Sequence, residues 1–303
     1  MWGSLINYWV FTGDSTYNDV VKQGLLYQVG EHNDYMPKEH RSSLGNDDQG
    51  FWAVAVLSAA ESNFPDPAPG EPSWLGLAQA VFNEQIARWD TATCNGGLRW
   101  QIYVKNGYDL KNTISNGLLF QIAARLARYT GEQIYEDWAV KVWDWMWRIG
   151  LIDNTSYNVY DNSEADLKNC TELERNQWSY NAGVLLGGAS TMYNLVRLIF
   201  LSFSSSPLFL LSRGRSNDVE NYQTDGNPVW KNHTQKLLTR IEEFFFSAGP
   251  MTEICERVEK CNPDQKSFKA YRSSPNTVFP IIPFPASPNI SNLIQKPKQS
   301  RDG

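Results

Sequence analysis

Asp47 and Asp48 stand side by side in the stretch SLGNDDQGFW, residues 43–52, and large aromatics follow at once. Two like charges in consecutive positions repel, so a chain that sets them before a run it must bury needs a reason. A solvated helix start supplies one, because free N–H groups and the helix dipole favour acids in the first turn. Glycoside cleavage supplies a sharper one. It needs one carboxylate to attack or stabilise the anomeric carbon and a second to protonate the leaving oxygen. A retaining enzyme holds the two roughly 5–5.5 Å apart, an inverting one farther. Neighbouring side chains at a helix start stay close enough for the retaining case. Their repulsion raises the pKa of one, keeping it protonated as the general acid, while the helix N-terminus helps the other stay ionised.

Other chemistries find little support. His32, His40 and His233 lie far apart, without the spacing of a zinc site. A formal charge of −6 lacks the basic footprint of a nucleic-acid binder. There is no nucleophile elbow, P-loop or dinucleotide fingerprint. The 12 Trp, 14 Tyr and 14 Phe must mostly fill a core, yet such an excess also suits sugar binding, where ring faces stack on pyranose C–H faces. Four cysteines and N-x-S/T sequons at Asn154, Asn169, Asn232 and Asn289 point to a secreted, disulfide-bonded protein. Cys255 and Cys261 can close a small loop, which leaves Cys94 to pair with Cys170. The first residues, MWGSLINYWVFTGDSTYNDV, carry no basic n-region and no cleavage site, so the chain is expected to lack its true start.

The elements that must position the acid pair follow from an internal repeat. Residues 11–30 lie over residues 129–150, each with Thr-Gly and an aromatic four positions after the Gly: Gly13/Tyr17 and Gly131/Tyr135. The same spacing recurs at Gly70/Trp74 and Gly226/Trp230. Gly stops one apolar helix, and the aromatic opens the next and folds back on the hairpin. The expected helices pair as 2–9 with 17–29, 48–61 with 74–89, 116–129 with 135–149 and 178–194 with 230–246. A further helix is expected from Asp264, and one strand at Leu98 to Val104, LRWQIYV. Hairpins this apolar on both members predict an all-α fold: a closed ring of inner and outer helices, with an open solenoid as the alternative. All inner helices of such a ring run the same way, so their N-termini share one rim. Asp47, Asp48, Asn116, Tyr180, Asn181, Asp264 and Gln265 then converge on an aromatic-lined funnel suited to carbohydrate.

A longer string sharpens this. MWGSLINYW, NDYMP, SLGNDDQGFW, CNGGLRWQIY, KNTISNGLLFQIAARLARYTG and QWSYNAGVLLGGA together resemble glycoside hydrolase family 76, in particular its fungal cell-wall mannan endo-1,6-α-mannosidases. The resemblance runs from Met1 to about Tyr193 and again from about Tyr222 to Tyr271. It implies an (α/α)6 barrel spanning residues 1–272, incomplete at both ends. It implies retaining chemistry, hydrolytic or transglycosidic, on α-1,6-linked mannose in mannan or a GPI-anchor glycan, with wall glucan as an acceptor. It implies no metal or cofactor, a monomer, and a secreted, wall-associated or GPI-anchored protein. Asp47 would be the nucleophile and Asp48 the general acid/base. Asn46, Gln49, Trp52, Trp100, Asn116, Tyr180 and Asn181 would line the sugar cleft.

Two regions depart from the resemblance. Residues 195–221 interrupt a hairpin with an apolar, Ser-rich insert expected to contribute nothing to catalysis, and residues 273–303 form a Pro-rich tail expected to be disordered. Neither has a counterpart in the family pattern. An incomplete ring leaves a second reading open, a catalytically inactive carbohydrate-binding or scaffold protein on the same barrel.

Overall fold

Two of the four hairpin corners begin with the same local device, whereas the helix before Gly70 is already capped at Ser62, so that glycine does not stop it. Gly13 and Gly131 end their helices with φ of 74° and 76°, the left-handed region that a side chain resists. At both corners the preceding threonine accepts the N–H two residues on, Asp14 N to Thr12 Oγ1 and Glu132 N to Thr130 Oγ1. The computed structural model describes residues 1–104, 107–195, 227–247 and 249–269. Its eight described helices form four hairpins: α1 (Trp2–Thr12) with α2 (Asn18–Tyr27), α3 (Asn46–Glu61) with α4 (Trp74–Ala87), α5 (Thr113–Thr130) with α6 (Gln133–Ile149), and α7 (Ser179–Tyr193) with α8 (Pro228–Phe245).

Burial separates inner from outer members. α5 is buried without a break from Thr113 to Ala127, and α7 from Asn181 to Met192. Helices apolar all round belong inside. By contrast α8 buries one stripe, Trp230, Thr234, Leu237, Ile241 and Phe245, at helical spacing. α1, α3, α5 and α7 touch in succession, and each even-numbered helix packs on its own partner. The α5–α7 contact is tight because Gly188 lies against the Phe120 ring, where a β-carbon would collide. These four hairpins form the inner and outer layers of an (α/α)6 barrel.

The corner aromatics do more than close their own hairpins. Tyr17 packs on Tyr8 of its own hairpin, but Tyr135 packs on Phe82 of α4, and Trp230 stacks on Phe120 of α5. They join neighbouring hairpins into one core.

Three expectations need correction or fall outside. The run LRWQIYV makes only a single bridge, Gly45 with Gln101. A small antiparallel sheet forms instead from β1 (Leu110–Asn112), β2 (Asn162–Glu164) and β3 (Leu173–Glu174), strands too short to show an alternating pattern. The helix expected from Asp264 opens as a 3-10 turn at Gln265–Ser267. Nearly all of the insert, and residues 270–303 with the Asn289 sequon, lie outside the described residues.

Candidate active site

The start of α3 is held from several directions. Asn46 N donates to Trp100 O (2.9 Å) and Asn46 Nδ2 to Arg99 O (2.8 Å). From α4, Gln85 Nε2 donates to Asn46 O (2.8 Å), and Arg88 reaches both Asn46 Oδ1 (2.9 Å) and Gln49 Oε1. Gln49 Nε2 donates to Asp34 O (2.7 Å). The two amides flanking the acid pair are thus spent on locking the helix start in place.

The acids themselves differ. Asp48 Oδ2 accepts the Gly45 N–H (2.8 Å), reaching back to the unpaired donor before the helix. Asp47 Oδ2 accepts the Trp100 indole N–H (3.1 Å), while its Oδ1 is buried with no donor among the described residues. Burial, and secondarily the charge of Asp48, push the Asp47 carboxyl up to about 7, against the pull of the Trp100 N–H. Below that pH the Asp47 carboxyl holds its proton.

Trp100 is delivered by a loop closed around a buried ammonium. Lys111, fully buried in β1, donates from Nζ to Asp90 O (2.9 Å), Thr93 O (2.8 Å) and Gly96 O (2.7 Å), and lies 3.2 Å from Asp90 Oδ2. Burial lowers its pKa to about 8, opposed by the Asp90 charge. The loop also carries the Cys94–Cys170 disulfide. Gly97 (φ 97°) lies against the Trp145 ring, where a β-carbon would collide. Beyond it Asn116 clamps Leu98 from both sides, accepting its N–H (2.7 Å) and donating to its O (3.0 Å).

A second set of residues comes from far along the chain. Asp161 accepts from Asn181 Nδ2 (2.8 Å) and the Tyr180 hydroxyl (3.4 Å) on Oδ1, and from Asn162 Nδ2 (3.2 Å) on Oδ2. Burial raises its carboxyl, and these three donors pull it back. Its backbone is fixed too: Asp161 N donates to Glu174 O (3.1 Å), and its carbonyl accepts from Thr113 N (2.8 Å). The first turn of α7, which supplies Tyr180 and Asn181, is itself anchored by fully buried Glu253. That carboxylate accepts from Ser179 N (3.2 Å) and the Ser179 hydroxyl. Glu253 sits two residues before Cys255, which is bonded to Cys261.

These parts enclose a cavity of about 330 Å³, within the size range of ligand pockets. Asp47, Asp48, Phe51, Trp100 and Gln101 line it from α3 and the loop; Leu110, Asn112 and Ile114 from β1 and α5; Asp161, Asn162, Tyr180, Asp264 and Phe268 from the rest. No Lys, Arg or His is among them. Of the residues expected in the cleft, the structure brings together Asp47, Asp48, Trp100 and Tyr180. Asn46, Gln49 and Asn116 sit behind it, engaged with backbone. Asn181 supports Asp161, and Trp52 stacks on Tyr35 (5.2 Å) beside a separate pocket with Trp2 and Tyr27. Sequence reasoning missed Gln101, Asp161 and Asn162. Their segments show no helical period and no spacing that would mark them. Asn154, Asn169 and Asn232 are all exposed.

Adjacent acids stand at the rim of an inner-helix layer and face a polar and aromatic cavity, on an (α/α)6 barrel. The chain belongs to glycosyl hydrolase family 76, whose sequence profile matches residues 1–197 and 221–300. That match leaves out 198–220 and takes in 273–300. Among curated relatives, the mannan endo-1,6-alpha-mannosidase DCW1 of Saccharomyces cerevisiae is 44% identical over 272 residues, 89% of this chain and 54% of the relative. The mannan endo-1,6-alpha-mannosidase DFG5 of the same yeast is 39% identical over 271 residues, 88% of this chain and 53% of the relative. The chain therefore spans about half the length of the curated relatives it matches. The crystal structure of Dfg5 from Chaetomium thermophilum in complex with glucosamine superposes with a TM-score of 0.77 at 42% identity, over 89% of this chain and 60% of that one. An inactive variant of the α-1,6-mannanase of Salegentibacter, in complex with α-1,6-mannotetrose, superposes with a TM-score of 0.61 over 89% of this chain and 67% of that one. At 16% identity it shows the fold alone.

Proposed function

We propose that this chain acts on α-1,6-linked mannose by a retaining, two-step mechanism centred on Asp47 and Asp48. The observation that carries the reading is their shared placement: consecutive acids at an inner-helix start, both lining one cavity. The printed activity of the yeast relatives supplies the substrate class. Asp47 attacks C1 while Asp48 gives a proton to the departing glycosidic oxygen, leaving a glycosyl ester on Asp47. Asp48 then takes a proton from water or an acceptor hydroxyl, which displaces Asp47 and restores the original configuration. In the empty cavity the proton rests on Asp47, so substrate has to redistribute it. Positive charge developing at C1 favours ionised Asp47, and the leaving oxygen favours a protonated Asp48. The same arrangement accommodates hydrolysis of mannan or transfer of a GPI-anchor glycan to a wall glucan. Two disulfides and three exposed sequons support a secretory route to the cell surface.

The test is release of reducing ends from an α-1,6-mannan backbone, with azide added to alanine variants. Asp47→Ala with azide should yield a glycosyl azide of inverted configuration, and Asp48→Ala one of retained configuration. The opposite pair of products reverses the roles. Full activity in either variant overturns the role assigned to that acid, and mannan binding without turnover by the intact protein overturns the enzyme reading in favour of a binding protein.

A further inference from the structure

Asp161 is a third carboxylate in the cavity, and the two-step chemistry does not use it. Its setting is not that of an idle surface acid. Three side-chain amide or hydroxyl donors hold it, and its own backbone N–H and C=O are both tied to neighbouring segments. Such a carboxylate is fixed in orientation before any ligand arrives, and among the described residues no cationic side chain lines the cavity to neutralise it. An ionised carboxylate offers about four lone-pair sites and no donor. Three are used here, and the Tyr180 contact at 3.4 Å is long. The remaining capacity can be filled only by a hydrogen-bond donor from the cavity, and a neutral sugar offers hydroxyls. Gln101, 9% exposed, also lines the cavity, and its buried Oε1 has no partner among the described residues.

Building on the mannosidase reading, we propose that Asp161 is a specificity-determining residue of this site, accepting a ring hydroxyl of the mannose seated against the acid pair. Tyr180 links the two functions. Its hydroxyl donates to Asp161, and it also lies within the electrostatic reach of Asp47. A sugar held by Asp161 is thereby placed in register with the nucleophile. Hydrogen bonds to a charged partner are the strong kind, and a site built around one rejects the analogue that lacks the donor.

The test pairs protein variants with deoxygenated substrates. α-1,6-Mannotetrose and analogues lacking the 2-, 3- or 4-hydroxyl of the reacting mannose are compared on wild type, Asp161→Asn and Asp161→Ala. On wild type, one analogue should lose about 10- to 100-fold in kcat/KM, the range for a hydrogen bond to a charged group. Asp161→Asn should cost the parent substrate about 10-fold or more, and Asp161→Ala more still. On the alanine variant the penalty for that one analogue should shrink to within about 2-fold, because its acceptor is gone. A merely structural role would slow all substrates alike and leave the analogue's penalty intact, which overturns the proposal. Calorimetric binding of the same ligands to Asp47→Asn protein, with and without Asp161→Ala, gives the same comparison without turnover. Lost turnover with the binding pattern preserved therefore counts against the acid pair alone. Equal affinities for parent and analogues in that experiment count against Asp161.

Discussion

Lys111 and Glu253 are both fully buried, both charged, and each organises one side of the cavity, but they do it with opposite signs. The ammonium of Lys111 gathers three backbone carbonyls and so closes the loop that brings Trp100 to Asp47. The carboxylate of Glu253 takes the N–H and hydroxyl of Ser179 at the start of α7, the end of a helix where negative charge is favoured, and so fixes the turn that brings Tyr180 and Asn181 to Asp161. Each is accompanied by a disulfide, Cys94–Cys170 on the first side and Cys255–Cys261 on the second. In our reading the first side serves bond breaking and the second recognition. A loop has no helix end to lean on, so a cation is needed to collect its carbonyls; a helix N-terminus already presents donors, and an anion suffices.

Breaking the chemistry itself should give the largest effect. Asp47→Asn should lower kcat by about 10³-fold or more with the helical circular dichroism unchanged. The same substitution should stabilise the fold at alkaline pH. A carboxyl whose folded pKa of about 7 lies above its unfolded value of 3.8 holds its proton more tightly when folded. The stabilisation is present in full below about pH 4 and is lost as pH rises through about 7. At roughly 1.4 kcal/mol per pKa unit, the variant should gain up to about 4 kcal/mol over wild type at pH 8, with the gap closing near pH 4. Denaturant titrations at the two pH values check this. In turnover, wild-type kcat/KM should fall above about pH 7 as Asp47 loses its proton. A profile flat from pH 6 to 9 would show that the proton on Asp47 is not the one used.

The two buried charges should separate next. Lys111→Met removes a cation from between a carboxylate and three carbonyls and should cost about 3–5 kcal/mol. Glu253→Gln keeps an acceptor for Ser179 and should cost only about 1–3 kcal/mol. Equal losses would erase the distinction drawn between loop and helix end. The disulfides should follow the same order for a different reason. Cys94–Cys170 closes a separation of 76 residues and Cys255–Cys261 one of 6. Loop-closure entropy assigns about 4 kcal/mol to the first and about 2 kcal/mol to the second. Melting of the paired Cys→Ser variants checks both, and a larger loss from the second pair would show that the Glu253 segment depends on its clip more than its chain entropy implies.

Local chemistry was enough to read the scaffold. Thr-Gly corners and helical apolar runs identify the hairpins, because a left-handed glycine cap and a 3.6-residue period act within a few residues of each other. The acid pair is legible for the same reason, being contiguous at one helix start. Side-chain direction is not local in that way. Asn46, Gln49 and Asn116 sit in the expected stretches, yet their amides turn away from the cavity, because Arg99 O, Asp34 O and both backbone groups of Leu98 would otherwise be buried without a partner. Asp161 and Gln101 show the converse. The sequence around Asp161 does not mark it as functional, and Gln101 sits in the CNGGLRWQIY motif without standing out beside Trp100. Contacts between distant segments, Gly45 with Gln101 and Thr113 N–H with Asp161 O, hold them at the cavity. The sequence alone determined which helices pair into hairpins and where the two acids stand. The tertiary structure decided which polar groups are consumed in holding those elements together and which are left facing a ligand, since that depends on donors and acceptors that meet only when distant segments pack.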